Sequence, residues 1–231
     1  MKNVINSRGE SPYNRPPPPN PKGRAAKMTV TLHQGDLPNG ADFGPIVAID
    51  TETLGLNPKR DRLCLVQLSG GDGNAELVQI ARGQKRAPNL ERLLADPNVL
   101  KLFHFARFDL AVLAETFGLM PQPVYCTKIA SKIARTYTDR HGLKDIVKEL
   151  LGVEISKQQQ SSDWGAESLS DAQQAYAASD VLYLHQLKLK LDAMLAREGR
   201  LGLADACFKF LPARAQLDLD GWAEMDIFAH S

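Results

Sequence analysis

The chain is 231 residues long and 43% hydrophobic, enough to bury a sizeable core in one domain. Its formal net charge of +1 neither favours nor excludes a polyanionic partner, so any basic surface must be local. No apolar run approaches the roughly 18 residues of a membrane-spanning helix, no signal-peptide core leads the chain, and Cys64, Cys126 and Cys207 form no CxxC pattern; together these predict a cytoplasmic protein that avoids membranes.

Residues 1–27 (MKNVINSRGESPYNRPPPPNPKGRAAK) are proline-rich and poor in apolar residues. They read either as a disordered extension or as a start codon placed too early, with residues 28–231 forming a single domain. β-Branched runs between Gly, Asp and Pro clusters predict strands at about 28–33, 45–51, 61–69 and 75–80. A helix follows at about 88–96, then a strand at about 99–105 leading into a helix at about 108–117. Helical patterns at about 125–135, 141–151, 168–197 and 202–216 fill the C-terminal half. The expected class is therefore α/β, a mixed sheet flanked by helices.

Asp50 and Glu52 end an apolar strand and lie two residues apart, which places both carboxylates on one face. Burying such charges is costly unless a cation meets them. Asp109 sits where a strand passes into a helix, a position that also suits an ordinary helix-start carboxylate. Tyr176 and Asp180, four apart, share one helix face. Hard carboxylates in this number suit Mg²⁺ or Mn²⁺ rather than zinc.

Asp-x-Glu ending a strand, an Asp after a mid-chain strand and Tyr-x-x-x-Asp on a later helix together resemble the DEDD-type 3′→5′ exonucleases of the tyrosine subclass. The segments 61–68 (DRLCLVQL), 103–105 (FHF), 126–131 (CTKIAS), 161–164 (SSDW) and 176–184 (YAASDVLYL) resemble the ribonuclease D exonuclease domain. From Met28 onward the chain is similar to the nano-RNase C group of short oligoribonucleases, through 35–38 (GDLP), 135–144 (RTYTDRHGLK), 156–164 (SKQQQSSDW) and 221–231. No room remains after Asp180 for the helical nucleic-acid-binding domains of ribonuclease D, which points to small or unwound substrates.

The resemblance implies a ribonuclease H-like fold and two divalent cations, Mg²⁺ or Mn²⁺. In it Asp50 bridges both ions, Glu52 and Asp180 complete the nucleophile side, and Asp109 helps hold the second ion. Tyr176 and Glu52 are the implied catalytic pair around the attacking water. The implied substrate is short single-stranded RNA or a dinucleotide, with DNA as an alternative, and a non-catalytic nucleic-acid-binding module as a remote one. Backbone amides near Thr51 and Thr53 are candidate contacts to the terminal nucleotide. Leu56 is a candidate wedge between bases or a loop-packing residue. His104 is a candidate ribose or phosphate contact or a core histidine. Gln160 and Trp164 precede the catalytic helix, and Trp164 reads as a packing anchor or a stacking platform. Arg135, Arg140 and His141 interleave with Tyr137 as single-strand-binding surfaces do, and are candidates for capping a 5′ phosphate. Nano-RNase C resemblance further implies a homo-oligomer, an octameric ring, with the apolar C-terminal segment as a subunit contact.

Overall fold

β-Branched and leucine-rich runs build the sheet of this computed structural model, which describes residues 29–156, 158–159 and 161–230. The expected extension at 1–27 and the candidate Gln160 lie outside the described residues. The strands are β1 (Val30–Gln34), β2 (Ile46–Thr53), β3 (Leu63–Ser69), β4 (Ala75–Gln79), β5 (Leu100–Phe103) and β6 (Val124–Cys126). They lie in the order β1-β4-β3-β2-β5-β6. β2 runs antiparallel to β3 and parallel to β5, so the sheet is mixed, as expected.

Every residue of β3 is buried, which fits a strand covered on both faces. The helices are α1 (Pro88–Ala95), α2 (Ala106–Phe117), α3 (Thr127–Ala134), α4 (Leu143–Leu151), α5 (Asp171–Leu182), α6 (Leu184–Arg197) and α7 (Leu201–Leu217). α5 rests on β2, β3 and β4, while α2 contacts β2, β3, β5, β6 and α7. Ser170 caps α5: its hydroxyl accepts from the Gln173 N–H at 3.3 Å, and the Gln173 side chain accepts from the Ser170 N–H at 3.0 Å.

Three expectations are corrected. The helix expected from 125 begins only at Thr127, because Val124–Cys126 pairs with β5 as an edge strand. The long helix expected over 168–197 is two, broken at Tyr183, which lets α5 cover the sheet while α6 packs on α3. Buried Val181, Leu184 and Leu187 continue across that break, so apolar spacing alone did not reveal it. β2 also extends to Thr53, beyond its expected end at 51, so both of its carboxylates lie within the strand.

Candidate active site

Alternation along β2 gives Asp50 and Glu52 one face of the strand, the one that meets α5. On α5 the four-residue spacing brings Tyr176 and Asp180 to the same place. Asp50, Glu52 and Asp180 each offer one carboxylate oxygen, and these oxygens all lie within 4.8 Å of one another. Among the described residues no lysine, arginine or histidine forms an ion pair with any of them or with Asp109.

Thr51 points to the other face and meets Asp109. Its hydroxyl donates to the Asp109 carboxylate at 2.6 Å, with both side chains buried. Asp109 thus stands outside the three-oxygen cluster while its charge still reaches it. Burial, then the charges of Asp109, Asp180 and Glu52, pushes Asp50 well above the usual carboxylate range. Burial followed by Asp180 and Asp109 raises Glu52 to about 9. Asp109 and Asp180 are each raised by burial to about 7, offset by hydrogen bonds from Thr51 and Tyr176 respectively. Four carboxylates held this way lack a counter-charge.

An all-oxygen donor set fits a hard divalent cation. Gln67 adds a second sign. It lies opposite Asp50 on β3, is fully buried, and its Nε2 faces an Asp50 oxygen at 3.5 Å. Its Oε1 is buried without a hydrogen-bond partner among the described residues, an acceptor available to a water around a bound ion. Asp50, Glu52 and Asp180 are the residues that could hold such a cation, with Asp109 beside them.

The other sequence candidates separate. Leu56 is 86% exposed on the loop after β2, and the Thr53 hydroxyl donates to the Gly55 carbonyl at 2.5 Å. His104 Nδ1 lies 2.8 Å from the Thr127 hydroxyl, which itself donates to the Phe103 carbonyl, so the histidine is the donor. Burial, then Lys128, holds His104 down to about 3, and it stays neutral. Of its two expected readings, Trp164 takes the packing one. It is buried with Cys64, Leu65, Leu77, Leu169 and Ala177, and its ring lies 6.0 Å from that of Tyr176, which it positions.

Arg135 is also corrected. Its side chain is fully buried and pairs with Glu149, while Nη1 donates to the Ser131 hydroxyl and the Arg140 carbonyl, each at 2.8 Å. That guanidinium braces the loop at 136–142 and is closed to a substrate phosphate. Arg140 is exposed and His141 half-buried against the Ser131 hydroxyl at 2.9 Å.

Sequence reasoning missed Thr51's hydroxyl, Gln67 and Phe105. Gln67 carried a signal, as a polar residue inside an otherwise apolar strand. Phe105 carried none: it stands between β5 and α2 at φ 69°, an outlier for a bulky residue, and is 48% exposed. The Lys128 ammonium lies 4.3 Å from that ring's centroid.

A 3′-5′ exonuclease sequence profile matches residues 37–196. The chain belongs to the 3′-5′ exonuclease family. Ribonuclease D of Gluconacetobacter diazotrophicus is 42% identical over 157 residues, 68% of this chain and 39% of that protein. The chain thus spans about two-fifths of the length of the curated relatives it matches. Brucella melitensis NrnC with bound Mg²⁺ is 66% identical, with a TM-score of 0.85 over 88% of this chain and 100% of that one. The same protein bound to pGG superposes at a TM-score of 0.86 over 89% of this chain. The exonuclease fold expected from the motifs is the one observed, and NrnC shares it.

Proposed function

We propose that the chain is a two-metal-ion 3′→5′ exoribonuclease that hydrolyses short RNA oligonucleotides, down to dinucleotides, to 5′-nucleoside monophosphates. The observation that carries this reading is the meeting of the Asp50, Glu52 and Asp180 oxygens within 4.8 Å, without a basic partner among the described residues. Divalent ions, Mg²⁺ or Mn²⁺, supply charge neutralisation and Lewis acidity toward the phosphodiester when bound. Mg²⁺ and pGG are each bound in a structure of the Brucella relative, which supports both the cation class and the short substrate.

In the reaction a water oxygen bonds to the terminal phosphorus while the bond from phosphorus to the upstream 3′ oxygen breaks; the water gives up a proton to solvent, and the departing 3′ oxygen takes one from solvent to leave as a 3′-hydroxyl. Burial, then the charges of Asp180, Glu52 and Asp50, raises Tyr176 above the ordinary tyrosine range. Its hydroxyl therefore keeps its proton and orients the water rather than acting as a base. Glu52, on the same side as Tyr176, accepts a hydrogen bond from that water. Leu56 and the ring of Phe105 offer apolar faces for terminal bases, and Arg140 with His141 remains for a 5′ phosphate.

Residues 28–231 act as one exonuclease domain in the cytoplasm; no helix among the described residues is long and apolar enough to cross a membrane. A homo-oligomer, a ring of eight, with the C-terminal segment as its contact is part of this reading; the exposure of Trp222, Met225, Ile227 and Phe228 supports it. The test uses end-labelled RNAs and DNAs of about two to twenty nucleotides with Mg²⁺ or Mn²⁺. Preferential hydrolysis of the RNA two-mer is expected. Equal rates at every length overturn the dinucleotide reading, and faster DNA hydrolysis overturns the RNA one.

A further inference from the structure

A cavity of about 690 Å³ opens beyond the end of β2. One wall is the loop at 54–62, which leaves the end of β2 immediately after the strand that carries Asp50 and Glu52. A second is the stretch 81–85 after β4, and Asp163 and Gly165, ahead of α5, close a third side. Cavity and site are joined through the chain: Leu54, in the cavity wall, sits two residues beyond Glu52, and Asp163 and Gly165 precede α5.

Five cations line the cavity: Lys59, Arg60, Arg62, Arg82 and Lys85. The opposing carboxylates are Asp61, Glu115 and Asp163. Arg60 is taken by Asp61 at 2.7 Å, and Arg62 donates to the Ile80 and Gly165 carbonyls. Lys59 and Arg82 are exposed, and among the described residues neither side chain pairs with another group. Two free cations on two walls of an open cavity match a ligand that repeats its negative charge.

The wall is built to hold its shape. Asp61 accepts from the Asn57 N–H at 3.0 Å, and the Asn57 side chain accepts from the Lys59 N–H at 3.0 Å. A Cβ at Gly55 would lie 2.3 Å from an Asp61 carboxylate oxygen, so only glycine lets the loop close on that carboxylate. This closed loop turns Leu56 outward, 86% exposed, and presents Lys59 to the cavity. Cations fixed on a rigid frame lose little freedom when they bind.

We propose that this cavity binds the phosphodiester backbone of single-stranded RNA longer than a dinucleotide, holding nucleotides upstream of the scissile end. The inference rests on the exonuclease reading above and deepens it. Cavities of roughly 300–1,000 Å³ take ligands of drug size, so this one holds one or two nucleotides rather than a duplex. Leu54, 54% exposed, gives their bases an apolar contact. An acidic protein surface is the poorer match, because the lining lacks the large aromatic anchors that such interfaces use.

The test compares the full chain with Lys59→Glu/Arg82→Glu and Lys59→Gln/Arg82→Gln, on a 5′-phosphorylated dinucleotide and on a ten-nucleotide single-stranded RNA. Hydrolysis is measured with Mg²⁺, and decamer binding by fluorescence anisotropy in EDTA. The charge reversal is expected to leave dinucleotide kcat/KM within about twofold and to weaken decamer binding about tenfold at low salt. The glutamine pair should flatten the slope of log affinity against log salt by about 1.4, two lost phosphate contacts at about 0.7 each. Unchanged decamer affinity in both variants overturns the proposal, as does an equal loss on both substrates. If the unsubstituted chain hydrolyses neither RNA, the exonuclease reading fails instead, and the anisotropy result still decides whether the cavity binds RNA.

Discussion

Replacing Thr51 by Val tests how Asp109 is held ready for a cation. The substitution keeps a β-branched side chain of similar shape in β2, so strand formation and packing are preserved. It removes one interaction, the 2.6 Å hydrogen bond from the Thr51 hydroxyl to the Asp109 carboxylate. Thr51 is 7% exposed and Asp109 4%, so water cannot replace the lost donor. A buried hydrogen bond to a charged group is worth about 1.5–3 kcal/mol. That hydrogen bond offsets the burial that raises Asp109 to about 7, so its loss lifts the group further and favours the neutral acid. A cation needs the ionised form, so about 2 kcal/mol translates into roughly 30-fold more Mg²⁺ for half-maximal activity. Thr51→Ser, which keeps the hydroxyl, should stay within about threefold of the unsubstituted chain, with the same hydrogen bond available. The assay is a Mg²⁺ titration of nucleotide release, paired with calorimetric Mg²⁺ binding in the absence of RNA. Val and Ser variants with the same Mg²⁺ requirement as the unsubstituted chain, both folded, would refute the reasoning.

Metal-free stability should depend on pH in a defined way. Asp109 and Asp180 at about 7 and Glu52 at about 9 are raised above their unfolded values near 4, so their contribution is full below about pH 4 and is lost as pH rises toward 7 for the aspartates and 9 for the glutamate. His104, lowered to about 3, acts oppositely and costs stability as pH falls below its unfolded value near 6.5. The three carboxylates outweigh the one histidine, so Tm in EDTA should fall as pH rises from about 5 to 9, with the gain in Tm from Mg²⁺ larger at pH 9 than at 6.5; a flat profile contradicts the electrostatic account. Arg135→Met should cost about 2–3 kcal/mol in urea unfolding, below the full buried-pair value because Glu149 is 40% exposed, with KM for the dinucleotide unchanged. A raised KM with normal stability would return Arg135 to the substrate site. Phe105→Asn relieves positive-φ strain of about 1 kcal/mol and should hold or raise Tm. The same change should raise KM for RNA about tenfold through lost stacking; an unchanged KM removes Phe105 from the site.

What the sequence made legible follows from the range of each interaction. Asp50 with Glu52, and Tyr176 with Asp180, are local pairs whose faces are set by strand and helix periods, and the structure joins them as those periods require. The contact of Thr51 with Asp109 spans 58 positions and that of Gln67 with Asp50 spans 17, so no periodicity announces either. Arg135 looked like one cation in a solvated run. Its burial depends on Glu149, fourteen positions away on α4, which closes over it. Trp164 follows the same logic, because its place under Tyr176 comes from the return of the chain to β3 and β4. Most strands were readable from β-branched runs. β6 was not, since three residues leading directly into a helix give too short an alternation to register.

The central claim is that Asp50, with Glu52 and Asp180, holds the divalent cation that RNA hydrolysis requires. Asp50→Asn tests it most directly, with 3′-terminal nucleotide release measured in Mg²⁺ alongside calorimetric Mg²⁺ binding and metal-free Tm. The account predicts a loss of activity of about a hundredfold or more, loss of the binding heat, and an equal or higher metal-free Tm, because one of the mutually repelling charges is gone. Nucleotide release and Mg²⁺ binding that persist at the level of the unsubstituted chain would contradict it.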